Sequence, residues 1–249
     1  MRTLKTKTFV VAASAFAVVF AGSAAAEQFQ IKITNISPNV LSPVPFVTHD
    51  AGFDLFDEGA MASAAVEAVA EAGDFTGVVN MAQAALGGSV TSYAVAGGAP
   101  LFTGESATVM LDTDMAHPWL SFVSMIGISN DGFIGHTTGD GAFNLFPGGM
   151  PLMGTFYISP ANVWDAGTEV NDESAATVGA LGGMGGVDEM GVITRPHPGI
   201  LGVGQIPLER NWTGGDVAKI EIVPEPASLL LLAAGALTLR RRTRRLPVA

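Results

Sequence analysis

The sequence predicts a mainly β chain: an antiparallel β-sandwich with a short helical insertion and long Gly-rich loops. Three observations carry this. The first and last stretches of the central region alternate apolar and polar residues, short apolar runs between them are bounded by Gly and Pro, and one segment switches to helical spacing.

"FQIKITNI" sets Phe29, Ile31 and Ile33 against Gln30, Lys32 and Thr34, the period-two pattern of a strand with one buried face. "DVAKIEI" does the same with Ala218, Ile220 and Ile222 against Val217, Lys219 and Glu221. Two such strands at the limits of the domain predict that its ends are tied into one antiparallel sheet. "PFVTH" is a further strand, which Pro45 confines to a sheet edge or a strand start, because proline donates no ladder hydrogen bond.

"DEGAMASAAVEAVAEAGD" places Met61, Ala65, Ala68, Val69 and Ala72 at helical spacing, with Glu67 and Glu71 opposite. Asp57 and Glu58 suit the positive end of its dipole and Gly73 its stop. A second short helix is expected over Val79–Leu86. "ATVMLD", the continuous run "WLSFVSMIGI" and "GTFYIS" read as core strands, and "GALGGMGGVDEMG" as a flexible surface loop, too glycine-dense for a helix.

The ends of the chain predict export. Residues 1–26 carry Arg2, Lys5 and Lys7, then the apolar run "FVVAASAFAVVFAG", then small residues at Ala24–Ala26, the layout of a secretory signal peptide. Residues 224–249 hold Pro224, Glu225 and Pro226, an apolar helix expected over Ala227–Leu239, and the basic cluster Arg240–Arg245. As a helix that run covers about 20 Å, against a hydrocarbon core of about 30 Å. It suits transient inner-membrane anchoring, with its arginines on the cytoplasmic side. This three-part tail closely resembles the bacterial PEP-CTERM sorting signal, which implies processing by an exosortase near Pro-Glu-Pro and delivery to the cell surface or extracellular matrix.

Residues 27–223 remain as one domain. They contain four cations, Lys32, Arg195, Arg210 and Lys219, against 22 acids, a net charge of −18. Nucleic acid, which demands a basic footprint, is excluded as an expected partner; cations and basic surfaces are favoured. With no cysteine, an exported domain of this size must rely on its core, or on a metal, in place of disulfides.

"VWDAGTEVND", followed by Glu173, gathers Asp165, Glu169 and Asp172 into one short stretch. Like charges this close repel and raise each other's pKa, so the stretch is either a solvated loop or the wall of a cation site. Upstream, "SMIGISNDGFIG" runs off an apolar strand into Asn130, Asp131 and Gly132. Together the two blocks resemble the spondin domain (F-spondin N-terminal domain). Asn130–Phe133 fits its Asn-Asp-x-Phe turn and Asp165–Asp172 its Asp-Ala-Gly-Thr-Glu-x-Asn-Asp block. "AEAGD" at Ala70–Asp74 is similar to its Ala-Glu-Asp-Gly-Asp block, with Ala72 in place of an acid.

The resemblance spans roughly residues 28–222. It implies a C2-like β-sandwich that holds Ca²⁺ in its loops, with Asp131, Asp165 and Glu169 as ligating acids, and an adhesive role. Calcium takes roughly six to eight hard oxygens from flexible loops at about 2.3–2.6 Å, which agrees with such a set. Gly167 permits the bend that lets Asp165 and Glu169 converge, Thr168 can hold it by a local hydrogen bond, and Asn171 or Asp172 are further oxygen sources.

Other motifs point elsewhere. His49, His117, His136 and His197 are scattered without the close spacing of a zinc site, and His117-Pro118 and His197-Pro198 read as turns. There is no Gly-x-Ser-x-Gly elbow. Trp119, Trp164 and Trp212 serve either sugar stacking or packing. The expected function is a non-enzymatic, exported, cation-binding sandwich that attaches to extracellular polysaccharide or a surface protein. The alternatives are an enzyme acting on polysaccharide through a carboxylate pair about 5–9.5 Å apart, and a purely structural surface-layer or secretion passenger.

Overall fold

The computed structural model describes residues 26–138 and 142–225. Strand β1 (Glu27–Asn35) opens the domain, followed by β2 (Val44–His49), helices α1 (Ala64–Ala72) and α2 (Thr76–Ala84), β3 (Val90–Ala96), β4 (Ser106–Thr113) and β5 (Trp119–Met125). Then come β6 (Gly132–His136), β7 (Phe143–Asn144), β8 (Gly154–Ile158), β9 (Val163–Asp165) and, after a long irregular stretch, β10 (Ala218–Pro224). These strands form two antiparallel sheets, ordered β4-β1-β10-β8 and β3-β2-β5-β6-β9, with β7 also on β5.

The alternation in β1 and β10 has the predicted outcome. The two strands pair antiparallel with Ile31 opposite Ile222 and Ile33 opposite Ile220, all four buried. Their apolar face packs against the second sheet through Phe46, Leu120 and Phe122, which forms the main core. The other face of the second sheet is covered as well: Val47, Val123, Phe133 and Trp164 pack under Val66 and Val69 of α1 and Val78 of α2. A strand buried on both faces does not alternate, which is why β5 reads as an unbroken apolar run.

Several elements depart from their expected limits. β2 is an interior strand. Its Pro45 is tolerated as a strand-start residue, because pairing to β5 begins only at Phe46. α1 starts after Ser63, whose hydroxyl accepts from the Val66 N–H at 3.3 Å. Met61, Asp57 and Glu58 therefore lie outside the helix; the chain there is already committed to a turn, with the Gly59 N–H donating to the Ile193 carbonyl at 2.8 Å. Gly73 ends α1 in the left-handed conformation as expected. α2 begins three residues early, at Thr76, and β5 ends at Met125, where Ile126 turns to bridge Leu41.

The largest departure concerns the Gly-rich segment. It is a docked strap rather than a free loop. Glu189 N–H donates to the Thr168 carbonyl, Gly191 N–H to Gly167, and Val170 N–H to Val187, all within 2.9 Å, so residues 187–191 run along the acidic stretch. Among the described residues no helix is long and apolar enough to cross a membrane; the expected signal peptide and tail helix lie outside them.

Candidate metal centre

Asp131 immediately precedes β6 and Asp165 ends β9. Because Gly132 pairs with Asp165 across the two strands, both carboxylates emerge at one end of the sandwich. The chain then bends at Gly167, whose φ of 68° suits glycine. A Cβ there would also lie 2.7 Å from the Val192 carbonyl oxygen in the strap. Asp165 stabilises the bend, its Oδ1 accepting from the Gly167 N–H at 2.9 Å and its Oδ2 from the Asn171 amide at 2.7 Å.

Asp131 is fully buried. Its Oδ2 accepts from the N–H groups of Thr168 at 2.8 Å and Glu169 at 3.2 Å. Its Oδ1 is buried with no hydrogen-bond partner. A buried carboxylate oxygen left in this state costs free energy unless something positive meets it. Burial first, then the Asp165 charge, pushes the Asp131 carboxyl up to about 6, the two N–H donors opposing.

Glu169 faces the other way. Its Oε1 accepts from the Gly186 N–H of the strap at 2.6 Å. Burial pushes its carboxyl up to about 7, with contributions from Glu71, Asp131 and Asp172. Glu71, on α1, is raised by burial and by the nearby Glu67 and Asp188 charges, although a hydrogen bond from Thr168 offsets part of this. Asp172 is engaged internally, with Oδ1 accepting from Ser174 N–H at 2.9 Å and Thr177 Oγ1 at 2.8 Å.

The structure brings Asp131 and Asp165 together with His197: each offers an atom within 4.8 Å of the others. Glu169 falls outside this trio. His197 was expected to be a turn residue, and the sequence carried no signal for its place here. It arrives because the chain after the strap pairs with β9, Thr194 exchanging two hydrogen bonds with Asp165 and His197 N–H donating to Val163.

Grouping His197 as a ligand conflicts with its hydrogen bonding, and the hydrogen bond decides. The Gly199 N–H donates to His197 Nδ1 at 3.0 Å. Burial holds the ring below its ordinary pKa and therefore neutral, so its one proton sits on Nε2. That N–H lies 3.9 Å from Asp165 Oδ2, beyond hydrogen-bond length, and Nε2 is buried with no hydrogen-bond partner. His197 thus presents a donor to the carboxylates and no lone pair to a metal, and the oxygen atoms alone fit a hard cation.

Two of the three tryptophans pack in the interior, while Trp119 at the start of β5 is half-buried. Trp164 and Trp212 are buried; Trp164 donates to the Gly135 carbonyl at 3.0 Å and carries the Arg195 guanidinium 4.4 Å from its ring centre. Arg195 also pairs with Glu58 at 3.3 Å.

A two-sheet antiparallel sandwich with acidic loops at one end, joined to a sorting tail, defines an exported surface protein. The Spondin_N family matches residues 14–174, and the chain belongs to that family. The match contains Asp131, Asp165 and Glu169 but ends before the strap, His197 and β10, short of the residue 222 to which the resemblance was expected to run. The PEP-CTERM protein-sorting motif matches residues 223–245 and implies processing by an exosortase. Both matches place the protein outside the cytoplasm, at the cell surface or in the extracellular space. No curated protein matches the chain.

Proposed function

We propose that the loops at residues 131 and 165–169 bind Ca²⁺, and that the calcium-loaded sandwich attaches the exported protein to polysaccharide or to another surface protein, without catalysing a reaction. The observation that carries the metal reading is the buried, unpartnered Oδ1 of Asp131 beside the Asp165 carboxylate. Asp131 and Asp165 would hold the ion. Glu169 would join them by exchanging its hydrogen bond to Gly186 for ligation. A bound cation supplies the positive charge that offsets the crowding of these acids.

The test is thermal unfolding of protein recovered from the cell surface, with the metal first removed by EDTA. A ligand that binds only the folded state at a hundredfold above its Kd adds about 2.7 kcal/mol. Millimolar calcium should therefore raise Tm by roughly 5–10 °C for a domain of this size. Asp131→Asn, Asp165→Asn and Glu169→Gln should each remove most of the rise, and Asp216→Asn should not. An unchanged melting curve on adding calcium to the stripped protein overturns the reading. The adhesive part is tested separately, by retention of the protein on whole cells with and without calcium.

A further inference from the structure

The sorting motif begins inside the fold. Its match starts at residue 223, within β10, and β10 ends at Pro224, which lies opposite Phe29 of β1. The next residue still pairs, the Glu225 N–H donating to the Gln28 carbonyl at 2.7 Å. Backbone groups along an antiparallel strand point alternately to its two sides. Because Glu225 faces β1, Pro224 faces the β8 side, where pairing stops at Ile222 opposite Gly154. The donor that proline lacks is not needed there. Pro226 follows, again without an N–H. Pro-Glu-Pro thus supplies one last ladder donor between two residues that have none.

β10 is an interior strand. It lies between β1 and β8, and its Ile220 and Ile222 are buried. An enzyme that cleaves a peptide bond must hold the flanking residues in its own cleft, so backbone that is hydrogen-bonded and buried resists it. For every bond up to the one after Glu225, the flanking residues on the domain side belong to this strand and its last paired residue. Drawing them out would break the ladder to β1 and carry Ile222 from the core into water. The chain is first free of that ladder beyond Glu225.

We propose that Pro224–Pro226 is a terminator of β10 that stays with the mature domain, and that the exosortase cuts on the C-terminal side of Pro226. The bond broken is a backbone amide; water supplies the hydroxyl of the new carboxyl terminus and the proton of the departing amine. The proposal rests on strand pairing and does not depend on the calcium reading.

Intact-mass analysis and C-terminal peptide mapping of protein recovered from the cell surface read the cut directly. The C-terminal peptide should contain Pro224, Glu225 and Pro226. A chain that ends at Glu225 or earlier, or one that runs on to Ala249, overturns the proposal. Two shortened chains test whether the motif belongs to the fold. A chain ending at Pro226 should melt as the surface-recovered protein does. One ending at Val223, without the pairing of Pro224 and Glu225 to β1, should melt about 2–4 °C lower. Equal melting temperatures for the two would overturn the terminator role.

Discussion

Glu169 accepts a 2.6 Å hydrogen bond from the backbone N–H of Gly186, and the two are in direct contact: a Cβ on Gly186 would lie 2.2 Å from the Glu169 carboxyl carbon, so the side chain would have to swing away. The strap and the acidic loop are fitted to one another at this point.

Gly186→Ala should force either the strap or Glu169 aside. Overpacking of this kind costs about 1–3 kcal/mol, which should appear as a Tm lower by roughly 2–12 °C. The calcium-induced rise should persist, because ligation already takes Glu169 away from Gly186. Gly215→Ala, where an added Cβ meets nothing within 4 Å, should leave both quantities unchanged. Scanning calorimetry of the two variants checks this.

His197 as a donor predicts a metal preference. A lone pair on Nε2 would recruit zinc or nickel, whereas an N–H there leaves a site made only of oxygens. Calcium should therefore raise Tm where equimolar zinc does not. His197→Gln, which keeps an amide donor, should retain more than half of the calcium effect. Tight zinc binding that disappears in His197→Gln would show that the ring ligates.

Glu173 makes a different kind of bond. It is the non-glycine residue with positive φ among those described, at 54°, and its buried carboxylate accepts from the N–H groups of Leu201, Gly202, Val203 and Gly204. Glu173→Gln sets an amide donor against backbone donors. Losing charge-assisted acceptance of this sort should cost about 2–3 kcal/mol, and the loss should be the same with and without calcium. A calcium-dependent loss would mean that Glu173 belongs to the metal site.

Asp54 gives the pH signature. Burial, and then the charge of Asp57, push its carboxyl up to about 6. A carboxyl raised in the folded state favours folding at pH values below its unfolded pKa, and that contribution is lost as pH rises through 6. Asp54→Asn should accordingly stabilise the protein at pH 7–8, by about 1 kcal/mol after allowance for solvent screening. The advantage should vanish near pH 4. Melting curves of wild type and variant across pH 4–8 provide the measurement, and a constant difference would refute the assignment.

The sheet holding both ends of the domain was legible because Phe29, Ile31 and Ile33, like Ile220 and Ile222, alternate along a half-buried surface. Asp131 and Asp165 were legible through the resemblance of their two motifs to the spondin domain, and the pairing of β6 with β9 is what brings them to one end. His197 and the strap were not legible. Their positions follow from backbone pairing to β9 and the acidic loop, and pairing through glycine leaves no side-chain pattern to read. Glu71 was visible as the polar face of an amphipathic helix. Its proximity to Asp131 and Glu169 depends on how α1 crosses the sheet, which periodicity alone does not specify. The start of α1 was misplaced for a local reason, since Asp57–Gly59 are held by a turn and by Ile193.

The pairing of β1 with β10 also orients the molecule. Phe29 lies opposite Pro224 and the Glu225 N–H donates to the Gln28 carbonyl at 2.7 Å, so the chain enters and leaves the domain side by side. At the other end of β1, roughly 25 Å away at the rise of a strand, Asn35 leads into Asn39, whose amide donates to the Ile128 carbonyl in the turn before Asp131. The acidic loops therefore lie at the pole of the sandwich opposite its two chain ends.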